Sequence, residues 1–255
     1  MRKLRTRIIP ILLLKNKGLY KGINFKKHKY IGDPINTVKL FNDKNVDELV
    51  IFDIEATKNN FIDFELLGQI TSEAFMPMGY GGGIKTIEEI RKLFSIGFEK
   101  VIINSAGYKD YNLIHIAAEE YGSQSIVACV DVKRRFGKYC CYSNSGTKKE
   151  KIDLKTHIQN LLNAGIGELI ISDIDKDGKM NGYNLDLIEY ISSNLKIPLI
   201  ASCGAGKLVD FIKAKENGAQ ACAAGSLFVY KGEQRGILIN YPKYKDLFEI
   251  LSEEI

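Results

Sequence analysis

Asp47-Glu48-Leu49-Val50-Ile51-Phe52-Asp53-Ile54 and Gly167-Glu168-Leu169-Ile170-Ile171-Ser172-Asp173-Ile174 are two versions of one stretch, 120 positions apart. Each sets a glutamate before a short apolar run and an aspartate after it. The agreement extends outward. Gly83, Asn104 and Ser105 recur as Gly204, Gly225 and Ser226 at a shift of 121, and Lys15 recurs as Lys133 at a shift of 118. An apolar run this short, without strict alternation, reads as a strand buried on both faces. Runs of this kind span Ile8–Leu14, Leu49–Phe52, Val101–Ile103, Ser125–Val130, Leu169–Ile171, Ile197–Ala201 and Ala221–Ala224, and a weaker one spans Met76–Gly79. Amphipathic stretches separate them. Thr86–Ile96 places Ile87, Ile90, Leu93 and Phe94 on one helical face, and Asn184–Ser193 does the same with Leu185, Ile188 and Ile191. Eight alternating strand and helix units predict an α/β fold: a single (β/α)8 TIM barrel over residues 1–255, built of two similar half-barrels, roughly 1–122 and 123–255. Two long copies are too few for a solenoid.

Composition agrees and excludes other classes. The chain has 255 residues, 45% hydrophobic and 26% charged, with a formal charge of +5 and no tryptophan. Its lysines are dispersed, and Lys26-Lys27-His28-Lys29 and Lys148-Lys149 read as solvated faces or loops, so no nucleic-acid partner is expected. Ile8–Leu14, preceded by Met1-Arg2-Lys3-Leu4-Arg5, is short for a signal peptide and lacks a small-residue cleavage site. No run is long enough to span a membrane. The cysteines at 129, 140, 141, 203 and 222 have neither metal-ligand spacing nor an even framework, which predicts a reducing, cytoplasmic setting with no metal and no cofactor. Asp175-Lys176-Asp177-Gly178 carries only a fragment of a calcium-loop pattern and reads as a ligand-contacting turn.

In a barrel, chemistry sits at the C-terminal strand ends. Gly79-Tyr80-Gly81-Gly82-Gly83 and Asn104-Ser105-Ala106-Gly107 follow the third and fourth runs. Ser202-Cys203-Gly204-Ala205-Gly206 and Gly225-Ser226 follow the seventh and eighth. One glycine turn is a tight connection. Two symmetric pairs predict two phosphate cradles and a ligand phosphorylated at both ends, because glycine lets backbone N–H groups approach the anion. Asp131 closes the fifth run and is the candidate general acid or base, while its repeat counterpart is Leu13. Asp173 lies an odd step from Glu168 and therefore faces away from Ser172. Arg7, Glu48, Lys100 and Glu168 begin strands one, two, four and six at the opposite end. They form either a solvated rim or an inward-facing salt-bridge ring, and the residues alone leave both open.

These stretches, with Lys21-Gly22-Ile23-Asn24-Phe25, Gly32-Asp33-Pro34, Gly81-Gly82-Gly83-Ile84, Gly122-Ser123-Gln124, Gly182-Tyr183 and Gly204-Ala205-Gly206-Lys207, resemble HisF, the cyclase subunit of imidazole glycerol phosphate synthase. The resemblance runs from about Arg7 to about Phe228. It implies an ammonia-dependent synthase, or lyase, subunit whose glutaminase partner (HisH-like) docks at the barrel's N-terminal face as a heterodimer. Ammonia would pass a gate of Arg7, Glu48, Lys100 and Glu168 and meet a bis-phosphorylated ligand gripped by Gly83, Asn104 and Ser105 and by Asp177, Gly178, Gly204, Gly225 and Ser226. Glu99 stands where the family has an aspartate, and Ile23 replaces a polar loop residue. Of the family's two catalytic aspartates Asp131 remains, and Leu13 occupies the other position. Leucine cannot transfer a proton. The combination resembles paralogues that accompany surface-polysaccharide and nonulosonic-acid genes, supplying ammonia to convert an acetamido into an acetamidino group. The alternatives are the ordinary histidine-pathway cyclase and a non-catalytic subunit that activates a glutaminase and conducts ammonia. The related single-chain phosphoribosyl isomerase needs no gate and also uses an aspartate on strand one.

Overall fold

The computed structural model describes residues 6–251, so the Met1–Arg5 part of the signal-peptide question lies outside the described residues. Eight parallel strands close on themselves: β1 (Arg7–Lys15), β2 (Leu49–Asp53), β3 (Met78–Gly81), β4 (Lys100–Ile103), β5 (Ile126–Arg135), β6 (Glu168–Asp173), β7 (Leu199–Ser202) and β8 (Ala221–Ala224). Each pairs with its neighbour in chain order, and β8 returns to β1. Each of the eight predicted runs overlaps a strand, although the third and seventh strands start two residues later than their runs, at Met78 and Leu199. Helices α1 (Pro34–Asn42), α2 (Phe64–Thr71), α3 (Ile87–Ser95), α4 (Asn112–Tyr121), α5 (Leu154–Asn163), α6 (Leu185–Ser192) and α7 (Leu208–Glu216) follow β1 to β7, and α8 (Tyr244–Leu251) follows β8.

The strands lack alternation because both faces are covered. Ile8, Leu12, Leu49, Ile51, Val101 and Leu169 pack outward against helix residues such as Val38, Phe41, Ile90 and Leu93. Ile9, Ile11, Val50, Ile102, Val127 and Ile170 form a second cluster inside the barrel. The helices start where local chemistry places them. Thr86 accepts from Glu89 N in a capping box that opens α3, and Asn184 accepts from Leu187 N to open α6.

The half-barrel repeat appears as register. Leu13 pairs with Phe52 across β1 and β2, and Asp131 pairs with Ser172 across β5 and β6. The repeat extends to a feature absent from the sequence reading. The first strand of each half overruns the barrel into an antiparallel hairpin, Gly18–Ile23 with Lys26–Gly32 after β1 and Lys138–Ser143 with Lys148–Asp153 after β5. Lys26-Lys27-His28-Lys29, expected on a solvated face or loop, therefore lies in a strand. It is mostly exposed on both sides, so it carries no period-two apolar signal, and ladder hydrogen bonds hold it. The turns at Asn16-Lys17 and Asn24-Phe25 have positive φ at both central residues, the geometry that joins antiparallel strands tightly.

Candidate active site

Successive inward-facing residues climb the barrel wall in steps of two, as the pleat requires. From the N-terminal end, β1 presents Arg7, Ile9, Ile11 and Leu13; β2 presents Glu48, Val50 and Phe52; β4 presents Lys100 and Ile102, with Asn104 beyond its end. The same step carries β5 through Val127 and Cys129 to Asp131, and β6 from Glu168 through Ile170 to Ser172. One strand thus contributes both to the charged floor and to the mouth.

At the floor the four charges form a closed ring. Arg7 reaches Glu48 at 2.6 Å and Glu168 at 2.5 Å, and Lys100 reaches the same two carboxylates at 2.9 and 2.8 Å. Burial works against the Arg7 charge, yet Glu168 and Glu48 outweigh it and raise the guanidinium pKa. Of the two readings left open for these residues, the geometry is the inward ring. Glu99 stands beside it, accepting from Met78 N at 2.7 Å, so its role here is to fasten β3 to β4.

At the mouth a cavity of about 330 Å³ opens over the strand ends. Leu13, Gly83, Asn104, Ser105, Asp131, Asp177, Gly178, Gly204, Gly225 and Ser226 all line it. Asp173 faces elsewhere, accepting from Asn184 Nδ2 and Asp175 N.

Asp131 is 6% exposed and accepts from Asn104 Nδ2 at 2.8 Å, with Cys129 Sγ at 3.7 Å. Burial pushes its pKa up to about 7, against the pull of those two donors and with help from the Asp177 charge. A carboxyl balanced between its two protonation states near neutrality suits general acid–base work. Asn104 spends its amide on Asp131 and so orients the acid as well as lining the mouth. Asp177 accepts from Phe25 N at 3.0 Å, and its carbonyl accepts from Asn24 N at 3.1 Å, which ties the first hairpin down over the sixth strand's loop. Ser105 Oγ accepts from Asn144 N at 3.0 Å, which ties the second hairpin's turn to the mouth.

Lys21 escaped the site prediction. Buried beneath the hairpin, it donates from Nζ to Ile11 O at 3.0 Å, and burial lowers its pKa while Asp177 opposes the shift. A Cβ at position 225 would stand 1.7 Å from that Nζ, so the glycine leaves room for an ammonium beside the second candidate cradle. The only signal was its place within Lys21-Gly22-Ile23-Asn24-Phe25, because a lone lysine in an exposed-looking stretch has no reason to point inward. His28 also lines the cavity, from a strand and not from the loop expected of it. Among the described residues no cluster of three His, Cys, Asp or Glu side chains stands where it could hold a metal, and no helix is long and apolar enough to cross a membrane.

Gly204 tests the second cradle. Its φ is +114°, and a Cβ would stand 2.3 Å from Gly182 O. Gly204→Ala is expected to cost about 1–3 kcal/mol in stability and to weaken inorganic phosphate binding at least tenfold, read by denaturant melts and calorimetric titration. Unchanged phosphate affinity would remove position 204 from the cradle.

Fold and site together define a two-ended (β/α)8-barrel protein, with a charged ring at one end and a carboxyl-bearing cavity at the other. A family model described as histidine biosynthesis protein matches residues 7–235. The chain is 45% identical over 246 residues to a Pseudomonas aeruginosa protein provisionally named imidazole glycerol phosphate synthase subunit hisF2, covering 95% of this chain and 98% of that one. It is 44% identical over 245 residues to a Vibrio vulnificus protein provisionally named subunit hisF3, covering 94% of each. A Campylobacter concisus protein named imidazole glycerol phosphate synthase subunit HisF is 39% identical over 225 residues, covering 87% of this chain and 88% of that one. The chain belongs to the HisF family of imidazole glycerol phosphate synthase cyclase subunits.

Proposed function

We propose that this subunit takes ammonia from a separate glutaminase docked over the ring, passes it through the barrel interior, and delivers it to a phosphorylated acceptor at the mouth. The observation that carries this reading is the alignment of ring, apolar interior and cavity along one set of inward-facing residues. Glu48 begins a column that ends at Phe52, and Glu168 begins one that ends at Ser172. A small neutral molecule crosses an apolar interior that excludes ions, since a bare charge there loses its hydration. Arg7, Glu48, Lys100 and Glu168 act as the gate. The two glycine pairs, with Ser105 and Ser226, grip the acceptor's phosphates. Phe75, 89% exposed on the turn between α2 and β3 at the ring end, belongs to the glutaminase face. The setting is cytoplasmic.

Asp131 supplies or removes the proton at the acceptor. Its half-barrel counterpart is Leu13, so a mechanism that needs two carboxylates facing each other across the mouth is incomplete here. Loss of one member of an acid–base pair commonly removes about 10²–10⁴-fold in rate. This supports an acceptor from outside histidine synthesis, with acetamidino-sugar formation on surface glycans as the lead. The second reading, the ordinary histidine-pathway cyclase, is favoured by the name of the Campylobacter concisus relative.

The deciding assay supplies the purified chain with the histidine-pathway bis-phosphate substrate and excess ammonium at mildly alkaline pH, where free ammonia bypasses the partner. The expected result is binding without turnover, and gain of turnover in Leu13→Asp. Turnover by the unaltered chain would make it a histidine-pathway cyclase. Silence from Leu13→Asp would place further divergence outside position 13. Stimulation of a glutaminase with no turnover of any phosphorylated ligand would identify a purely conducting subunit.

A further inference from the structure

We infer that Leu13 and Phe52 form an apolar subsite that selects a phosphorylated acceptor with an alkyl, acyl or deoxy carbon on its β1–β2 flank. This rests on the reading that the mouth holds a phosphorylated ligand.

Leu13 and Phe52 are register partners on adjacent strands, and both line the cavity. They cap the apolar cluster inside the barrel and remain partly exposed, so carbon surface faces the void. The Phe52 ring lies over Gly81, where a Cβ would stand 2.8 Å from two ring carbons. The glycine therefore gives the ring its place across the mouth.

The half-barrel repeat sharpens the contrast. The register partners corresponding to Leu13 and Phe52 are Asp131 and Ser172. That side also carries Asn104 and Ser202, all lining the same cavity. The wall at Leu13 and Phe52 offers carbon, with Lys21 and His28 reaching the cavity from the first hairpin and Asp53 from the end of β2, while the facing wall offers a carboxyl, an amide and hydroxyls. A ligand that reaches from Gly83 on one side to Gly204 on the other lies between these walls with one flank on each. A hydroxyl pressed against Leu13 and Phe52 gives up its water and gains no partner. An alkyl or acyl carbon there removes apolar surface from water on both molecules. The ligand's polar, reacting side then turns toward Asp131.

Hexyl phosphate and mannitol 1-phosphate test this, because they share a six-carbon chain and a phosphate and differ in the hydroxyls. Calorimetric titration of the intact chain compares both with butyl phosphate and inorganic phosphate. Hexyl phosphate is expected to bind at least tenfold tighter than mannitol 1-phosphate, and two to four times tighter than butyl phosphate per added methylene. In Leu13→Asp the advantage of hexyl over mannitol phosphate shrinks to near unity, and in Leu13→Met it is retained. Equal or tighter binding of mannitol 1-phosphate overturns the subsite while the phosphate reading stands, and so does a hexyl preference that survives Leu13→Asp. If inorganic phosphate and all three esters fail to bind, the phosphate reading fails and takes this inference with it.

Discussion

Asp131→Asn is expected to remove any ammonium-driven turnover by about 10²–10⁴-fold and at the same time to make the protein more stable at neutral and alkaline pH. The two effects have one cause. Burial raises the Asp131 pKa from an ordinary 3.8 to about 7, so the folded chain holds its proton where the unfolded chain has released it. Unfolding therefore becomes easier as pH rises from about 4 to about 7, at roughly 1.4 kcal/mol per pH unit for this group. The stability is fully present below the unfolded pKa and is gone once pH has passed the folded one. Over the whole window the loss is on the order of 4 kcal/mol. Asparagine carries no proton to lose, and its carbonyl can still accept from Asn104 Nδ2. Urea unfolding from pH 4 to 8 should show a falling contribution in the natural chain and none in Asp131→Asn. Parallel pH profiles for the two chains would mean that Asp131 is an ordinary ionised carboxylate without catalytic tuning.

Lys100→Met is expected to separate the two ends of the barrel. The substitution leaves Glu48 and Glu168, both largely buried, with Arg7 as their only partner in the ring. Removing one partner from a buried charge network costs about 3–5 kcal/mol, and the value here falls toward the lower end because Arg7 still touches both acids. Glutamine-driven turnover with a glutaminase partner should fall at least tenfold more than ammonium-driven turnover, which enters at the mouth. Thermal melts read the first effect, and the ratio of the two rates reads the second. Equal losses by the two routes would show that the ring serves stability and not passage. An unchanged melting temperature would make it a solvated rim.

The barrel was legible because its signal is local and repeated. Eight apolar runs, each buried on two faces, need no distant information, and the shift of 120 that carries Glu48 onto Glu168 also carries Phe52 onto Ser172. Asp131, the glycine pairs and the four floor charges were legible by position alone, since strand ends and strand starts define the two ends of a barrel. Leu13 was legible as an absence, because the repeat and the family resemblance both mark its place.

Lys21, His28 and the two hairpins were not legible. The returning strands of the hairpins, Lys26–Gly32 and Lys148–Asp153, are held by ladder hydrogen bonds and expose polar side chains on both faces, so they have no hydrophobic period. Lys21 points inward from a strand that pairs with β1 and that Asp177, 156 positions away, fastens over the mouth through Asn24 and Phe25. The choice between rim and ring for Arg7, Glu48, Lys100 and Glu168 had the same character. Alternating sign is a property of the sequence, but a ring exists only when four strands converge to within 3 Å of shared carboxylates. The sequence by itself determined the strands, their two ends and the residue types available at each. Tertiary structure decided which side chains meet there and how burial shifts them, because burial and charge contact are sums over neighbours that chain closure brings together.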